Sequence, residues 1–303
     1  MQVCEDTPRV RVDACRERVF PQRHTFPLIG RRADRSFPVL RPPLSPLSYR
    51  AVELLGIDIG GSGIKGAPVD LETGALTAER HRVPTPTPST PEAVAEAVRR
   101  MARHFDWHGP IGCAFPARIK HGVAQTASNI DKSWIGTNAA ALFAERTGCP
   151  VLLLNDADAA GVAEMTYGAG RGREGVVLLL TFGTGIGSAL FVDHVLVPNT
   201  EFGHFYLKGM DVVAEHFAAD RARKENDLGW KAWGGRVQQY LTHIEFLVDP
   251  DLIILGGSVS KPKKLEKYFS QLKTEADLKP AELQNEAGII GAAYSARVLQ
   301  ATP

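Results

Sequence analysis

The strongest constraint on the fold is a strand, glycine loop and returning strand that occurs twice, about 120 residues apart. In the first copy the apolar run Leu54–Ile59 stops at Gly60-Gly61, and Ile64–Val69 resumes after the turn. In the second, Val176–Leu180 runs into Thr181-Phe182-Gly183-Thr184-Gly185-Ile186-Gly187 and Ser188–Val192 returns, with Asp193-His194 as the turn to Val195–Val197. Short apolar runs punctuated by glycine read as hairpin strands. Helix signals follow each copy. Thr90-Pro91-Glu92 supplies a cap, a proline for the first turn and an acid, and Val94, Val98, Met101 and Phe105 then mark one helix face. Strand Ile111–Phe115, helix Ala139–Thr147 and strand Val151–Leu154 complete the first half; a helix around Gly234–Leu247, strand Leu252–Leu255 and helix Ile289–Leu299 complete the second.

A duplicated βββαβα unit predicts an α/β, two-lobed phosphotransferase fold of the actin-like, ribonuclease-H-like kind. Residues 51–156 with 289–303 are expected to form a small N-terminal lobe, and 157–288 a large lobe with the sugar and phosphate-donor motifs. At 303 residues and 44% hydrophobic content the chain can bury a core for each. Residues 1–50 are different. They hold seven Pro and ten Arg with no helical or strand period, and are expected to be a disordered tail.

Beyond that tail 25 basic residues face 29 acidic ones, so the folded part is mildly acidic and overall charge supports neither a nucleic-acid nor a membrane partner. No apolar run is long enough to cross a bilayer. Cys4, Cys15, Cys113 and Cys149 show no zinc-ligand spacing and are expected to be reduced thiols in a cytoplasm.

Four segments carry chemistry. In Gly56–Gly66, glycines let backbone N–H groups approach phosphate oxygens. Gly60, Gly61 and Ser62 would cradle them, Asp58 at the strand end could hold hydrated Mg²⁺ through water, and Lys65 would meet a terminal phosphate. The same residues would also make an ordinary tight hairpin. The echo at Gly183, Thr184 and Gly185 gives the phosphate reading its weight, because two such loops facing across a cleft can clamp one phosphate chain. In Leu154–Ala160, Asp156 lies at the strand end, where α/β proteins put ligand-binding groups, and is the candidate base with Asn155 as a sugar ligand. Asp158 reads as a helix N-cap. Glu201 and His204 bracket a glycine and suit vicinal hydroxyls, though a solvated turn would look alike. Asn129, in the Ala127–Trp134 loop, is a similar candidate.

In this order and spacing, GIDIGGSGIKG, SNIDKSW, LNDADAAG, TFGTGIGSA, NTEFGH and LGGSVS resemble a ROK-family sugar kinase over residues 54–299. DADAAGVAEMTYGAG and the stretch after NTEFGH resemble the polyphosphate glucokinase and polyphosphate/ATP glucomannokinase branch. The resemblance implies Asp156 as base, Asn129, Asn155, Glu201 and His204 around the sugar, and Gly256 and Gly257 beside the donor. It implies phosphoryl transfer to the 6-hydroxyl of glucose from inorganic polyphosphate, with ATP as an additional donor; Mg²⁺ and a homodimer are expected. The alternatives are a strictly ATP-dependent hexokinase for glucose, mannose or fructose, and a sugar-sensing regulator, for which the first fifty residues are too short and proline-rich. Two departures stand out. Phe205–Phe217 lacks the cysteines of the family's zinc loop, so no structural zinc is expected, and Pro116-Ala117-Arg118 replaces a usual Pro-Gly-apolar turn.

A polyphosphate donor needs a basic track leading from the transfer point. Arg221, Arg223, Lys224, Lys231 and Arg236 form one candidate, and Lys261, Lys263, Lys264 and Lys267 a second, each interrupted by acids that would suit a plain solvated face.

Overall fold

The computed structural model describes residues 53–128 and 130–300. The tail expected over 1–50 and the candidate ligand Asn129 lie outside the described residues.

The first half opens with three antiparallel strands, β1 (Glu53–Ile59), β2 (Ile64–Asp70) and β3 (His81–Val83). Helix α1 (Pro91–His104) follows; the Thr90 hydroxyl caps it by accepting the Ala93 N–H at 3.4 Å, and it buries Val94, Val98 and Met101. Then come β4 (Ile111–Phe115), the small hairpin β5 (Ile119–Lys120) and β6 (Val123–Ala124), α2 (Ala139–Thr147), β7 (Val151–Asn155) and α3 (Asp156–Tyr167). The sheet order is β3-β2-β1-β4-β7, with β1, β4 and β7 parallel.

The second half repeats this plan. Strands β8 (Val176–Phe182), β9 (Ile186–Val192) and β10 (Val195–Val197) are antiparallel neighbours. Helices α4 (Ala214–Ala218), α5 (Asp220–Glu225) and α6 (Trp230–Val248) precede β11 (Leu252–Gly257), α7 (Pro262–Leu265), β12 (Asp277–Pro280) and α8 (Ala287–Ser295). The order β10-β9-β8-β11-β12, with β8, β11 and β12 parallel, matches the first sheet strand for strand. This is the duplicated, actin-like plan that the paired glycine loops predict. Helix α6 starts earlier than the apolar run around Gly234–Leu247 suggests, because Trp230 and Trp233 already pack with Tyr268.

The last helix returns to the first sheet. Ile289, Ile290 and Ala293 of α8 bury with Leu54, Ala67 and Val69, and Ala163 of α3 joins that cluster. Two residues on, on the opposite face of the helix, Met165 of α3 packs instead with Val177, Leu179 and Phe191 of the second sheet. Helix α3 is therefore wedged between the halves, and its first turn sits where strands of both sheets end. The seat of α8 is tight: a Cβ on Gly112 of β4 would overlap the Ala292 carbonyl, so only glycine lets the helix backbone approach the strand. Among the described residues no helix is long and apolar enough to cross a membrane.

Candidate active site

A cleft of about 620 Å³ lies between the two glycine loops, a size suited to a small ligand. Gly60 and Gly61 line one side, and Gly183, Thr184, Gly185 and Gly257 the other. Asn155 and Asp156 form part of its lining, together with Glu201 and His204. The cleft thus gathers residues from all four sequence segments. Asp58, Ser62, Lys65 and Gly256 stand outside its lining; Asp58 and Lys65 are paired behind the first loop, Ser62 is exposed on the loop tip, and Gly256 is buried within β11. Gly257 needs its residue type, since its φ is +83° and a Cβ would run into the Phe182 backbone.

Asp156 is the first residue of α3, and its Oδ1 accepts the Ala157 N–H at 2.9 Å. The side chain opens to cleft water while protein closes round it. Burial pushes its carboxyl up to about 6, the Asp58 and Glu201 carboxylates add to the rise, and the Ala157 N–H opposes it. A carboxyl so tuned is ionised near neutrality yet basic enough to take a hydroxyl proton. The helix cap is Asn155, whose Oδ1 accepts the Ala157 and Asp158 N–H groups at 2.8 and 3.1 Å while its Nδ2 donates to the Ala117 carbonyl at 3.1 Å.

Asp158 is therefore not the cap that its position suggests. It is buried inside the helix turn, and its Oδ2 accepts the Asn199 N–H at 2.8 Å. The Asn199 amide in turn accepts the Ile119 N–H at 2.7 Å and donates to the Ile119 carbonyl at 2.8 Å. This chain ties α3, the segment leading to Glu201 and the β5 hairpin of the other half together. The cleft residue Ala117 is held next to it by Asn155.

The Glu201 Oε2 and His204 Nδ1 are 3.1 Å apart, and His204 Nε2 lies 3.9 Å from Oε1 of Glu215. Burial raises the Glu201 carboxyl, against the pull of His204 and Arg118. Glu215 also accepts the Ile186 N–H at 3.3 Å. A Glu, His and Glu facing one cleft can accept from and donate to several hydroxyls of one ring.

On the first loop, Lys65 Nζ is 3.5 Å from Asp58 Oδ2, because the hairpin register puts the two residues opposite each other. Burial raises the Asp58 carboxyl and Lys65 lowers it, the first effect being larger. Among the described residues no cluster of three or more potential ligands could cage a metal. The Asp58 carboxylate, which lies near enough to Asp156 to raise it, fits instead a water-mediated contact to an ion such as Mg²⁺, which keeps several waters and takes its other ligands from phosphate.

The family model for the ROK family matches residues 54–226, more than half of the chain. The chain belongs to the ROK family. A polyphosphate glucokinase of Mycobacterium tuberculosis is 49% identical over 241 residues, covering 79% of this chain and 89% of the relative. The crystal structure of an inorganic polyphosphate/ATP-glucomannokinase from Arthrobacter sp. strain KM superposes with a TM-score of 0.76 at 48% identity, covering 82% of this chain and 99% of that one. A ROK family glucokinase from Streptomyces griseus, solved with glucose and AMPPNP, gives 0.66 at 26% identity, covering 82% of this chain and 100% of that one.

Two features of this ROK site escape a reading of the sequence. Glu215 reaches the cleft from α4, beyond the loop that follows His204, and no local pattern marks it. The basic residues, read along the chain as two candidate tracks, partly converge: Arg223 and Lys224 bind Asp220, and Lys264 reaches the same spot from α7. Arg236 departs from them and stacks on Phe217.

Proposed function

We propose that this ROK protein is a glucokinase that transfers a phosphoryl group from inorganic polyphosphate, with ATP as a second donor, to the 6-hydroxyl of glucose. The observation that carries the reading is one cleft in which a hydroxyl-binding set, a carboxylate tuned to about 6 and two facing glycine loops meet. The 49% identity to a polyphosphate glucokinase supports the choice of sugar and donor.

In this reading Glu201, His204, Glu215, Asn155 and Asn129 hold the sugar hydroxyls. The Asp156 carboxylate accepts the 6-hydroxyl proton as that oxygen attacks the terminal phosphorus. The new O–P bond forms in line as the bond to the rest of the donor breaks, leaving glucose 6-phosphate and a donor one phosphate shorter; Asp156 then returns its proton to solvent. Backbone N–H groups at Gly61, Thr184, Gly185 and Gly257 steady the phosphates, the Gly60 and Gly183 N–H groups being spent on closing their own loops through the Gly63 and Gly185 carbonyls, and Lys65 adds positive charge from behind the first loop. Mg²⁺ bound with the donor would supply charge neutralisation on the transferring group, and Asp58 is the residue at hand to hold its waters. The sheet carrying β1, with α8, and the sheet carrying β8 would act as the two lobes, small and large. Cys113 and Cys149, buried and unbridged, accord with a cytoplasmic setting.

The test is glucose 6-phosphate formation by the purified protein with long-chain polyphosphate or ATP as rival donors. Turnover with polyphosphate is expected. Turnover with ATP alone would make the protein an ATP-dependent hexokinase, and turnover with neither would overturn the kinase reading.

A further inference from the structure

The basic residues after the sugar motif and those after the second glycine pair are about 40 residues apart in sequence, yet they meet around one buried carboxylate. Asp220 is 1% exposed. Its Oδ1 accepts from Arg223 Nε at 2.8 Å, and its Oδ2 takes Lys224 Nζ at 2.9 Å and the Ser258 hydroxyl at 3.0 Å. Burial alone would raise this carboxyl, but the bonds from Lys224, Arg223 and Ser258 outweigh it and hold it below its usual value. Lys264 Nζ donates to the Ser258 carbonyl at 2.7 Å, and Arg223 and Lys264 both approach the Trp230 ring, at 4.2 and 5.8 Å.

This cluster is fastened to the cleft. The Ser258 N–H donates to the Phe182 carbonyl and the Arg221 N–H to the Gly183 carbonyl, each at 3.0 Å, and Arg221, Gly183 and Gly257 all line the cleft wall. Positive charge is in excess here. Burial lowers the Lys264 ammonium, and Lys224, Lys261 and Arg223 push it the same way against Asp220. Arg221 has Glu225 as a carboxylate neighbour, only at 3.9 Å. Cations that served a solvated face would spread apart; these converge from α5 and α7 on the loop that follows Gly257. An arrangement of mutually repelling cations is relieved by an anion that lies across them.

We propose that Arg221, Arg223, Lys224, Lys261 and Lys264 form one continuous polyanion track, held to the donor loops by Asp220 and Ser258, along which a phosphate chain leaves the cleft. The track rests on the reading of polyphosphate as donor, and binding measured without turnover separates the two.

Long-chain polyphosphate is titrated calorimetrically into the full chain and into Lys224→Ala/Lys261→Ala at several salt concentrations, in the absence of glucose. Both side chains are exposed, but Lys224 also bonds the buried Asp220, so Lys261→Ala alone, which leaves every Asp220 bond in place, is titrated beside the double variant and should show the single-lysine loss. Lys273→Ala/Lys279→Ala, on and beside the edge strand β12, removes the same charge elsewhere. The track variant is expected to bind roughly three- to fivefold more weakly per lysine removed. Its slope of log affinity against log salt should flatten by about 0.7–0.9 for each phosphate that the protein no longer neutralises, while the β12 variant stays near wild type. Wild-type affinity in the track variant, a loss no larger than in the β12 variant, or no binding of polyphosphate to any form would overturn the track. Binding with the expected differences but no glucose 6-phosphate from polyphosphate would sink the donor assignment and leave the track standing.

Discussion

Asp156→Asn separates the two costs that this carboxyl carries. As a base it must be ionised, and with a pKa of about 6 roughly nine-tenths is ionised at pH 7 but under a tenth at pH 5. The kcat/KM of the native enzyme for glucose should therefore fall roughly tenfold between those values, whereas a carboxyl at the ordinary 3.8 would scarcely respond. The asparagine keeps an Oδ1 for the Ala157 N–H but cannot take a proton, so kcat should drop by roughly 10²–10⁴ and the acid limb of the pH profile should vanish. Stability moves the other way. Because the folded carboxyl holds its proton more tightly than the unfolded one, it destabilises the protein above about 6, and the penalty fades as pH falls from there toward 3.8. The full gap corresponds to roughly 3 kcal/mol. Since the side chain is open to cleft water, about 1 kcal/mol is the realistic share, a rise in Tm of roughly 2–4 °C at pH 7. Coupled glucose 6-phosphate assays across pH and thermal melts measure both. Near-native turnover, or a melt lowered at pH 7, would refute the reasoning.

Asn199→Ala removes both bonds to Ile119 and should raise the KM for glucose by about five- to tenfold, the effect of one or two missing hydrogen bonds, with kcat changed far less; an unchanged KM would mean the clamp does not set the sugar pocket. Gly112→Ala should cost roughly 1–3 kcal/mol because α8 must lift off β4, and a melting temperature equal to the parent's would show that the helix is not seated as described.

What the sequence makes legible is whatever it encodes locally. The glycine loops, Asp156 and the Glu201–His204 pair are each contained within a few residues, and the strands around them are uniform enough for their order to follow from the repeat. Asp158 is open to misreading because a carboxylate in a first helical turn looks like a cap; the cap is Asn155, one residue before the helix, and only the tertiary approach of Asn199 gives Asp158 its work. Glu215 depends on how the chain turns back between His204 and α4, which no periodicity records. The two basic clusters look independent along the chain, and it takes the pairing of β11 beside β8 to bring Ser258 and Lys264 onto Asp220.

The duplication is exact in topology and unequal in charge, and the inequality gives the cleft a direction. In the first hairpin the pair opposite each other near the strand end is Asp58 and Lys65; at the matching register of the second it is Thr181 and Gly187. The charged pair Asp58 and Lys65 thus stands on the β1 side, with Asp58 near Asp156, while the β8 side has no charged pair there and adds the Thr184 side chain to the cleft wall. On the proposed reading, the phosphate under attack belongs at the charged end, where stabilising its developing charge counts most. The phosphates behind it then lie over the neutral loop, where binding that does not change along the reaction suffices. On the track proposed above, a longer donor would meet Arg221, Lys224 and Lys264 beyond Gly183 and Gly257, and a nucleotide, with its short phosphate chain, would extend less far along them. One duplicated fold can in this way serve both donors with a single transfer point, because the specialisation for the longer one lies downstream of the chemistry.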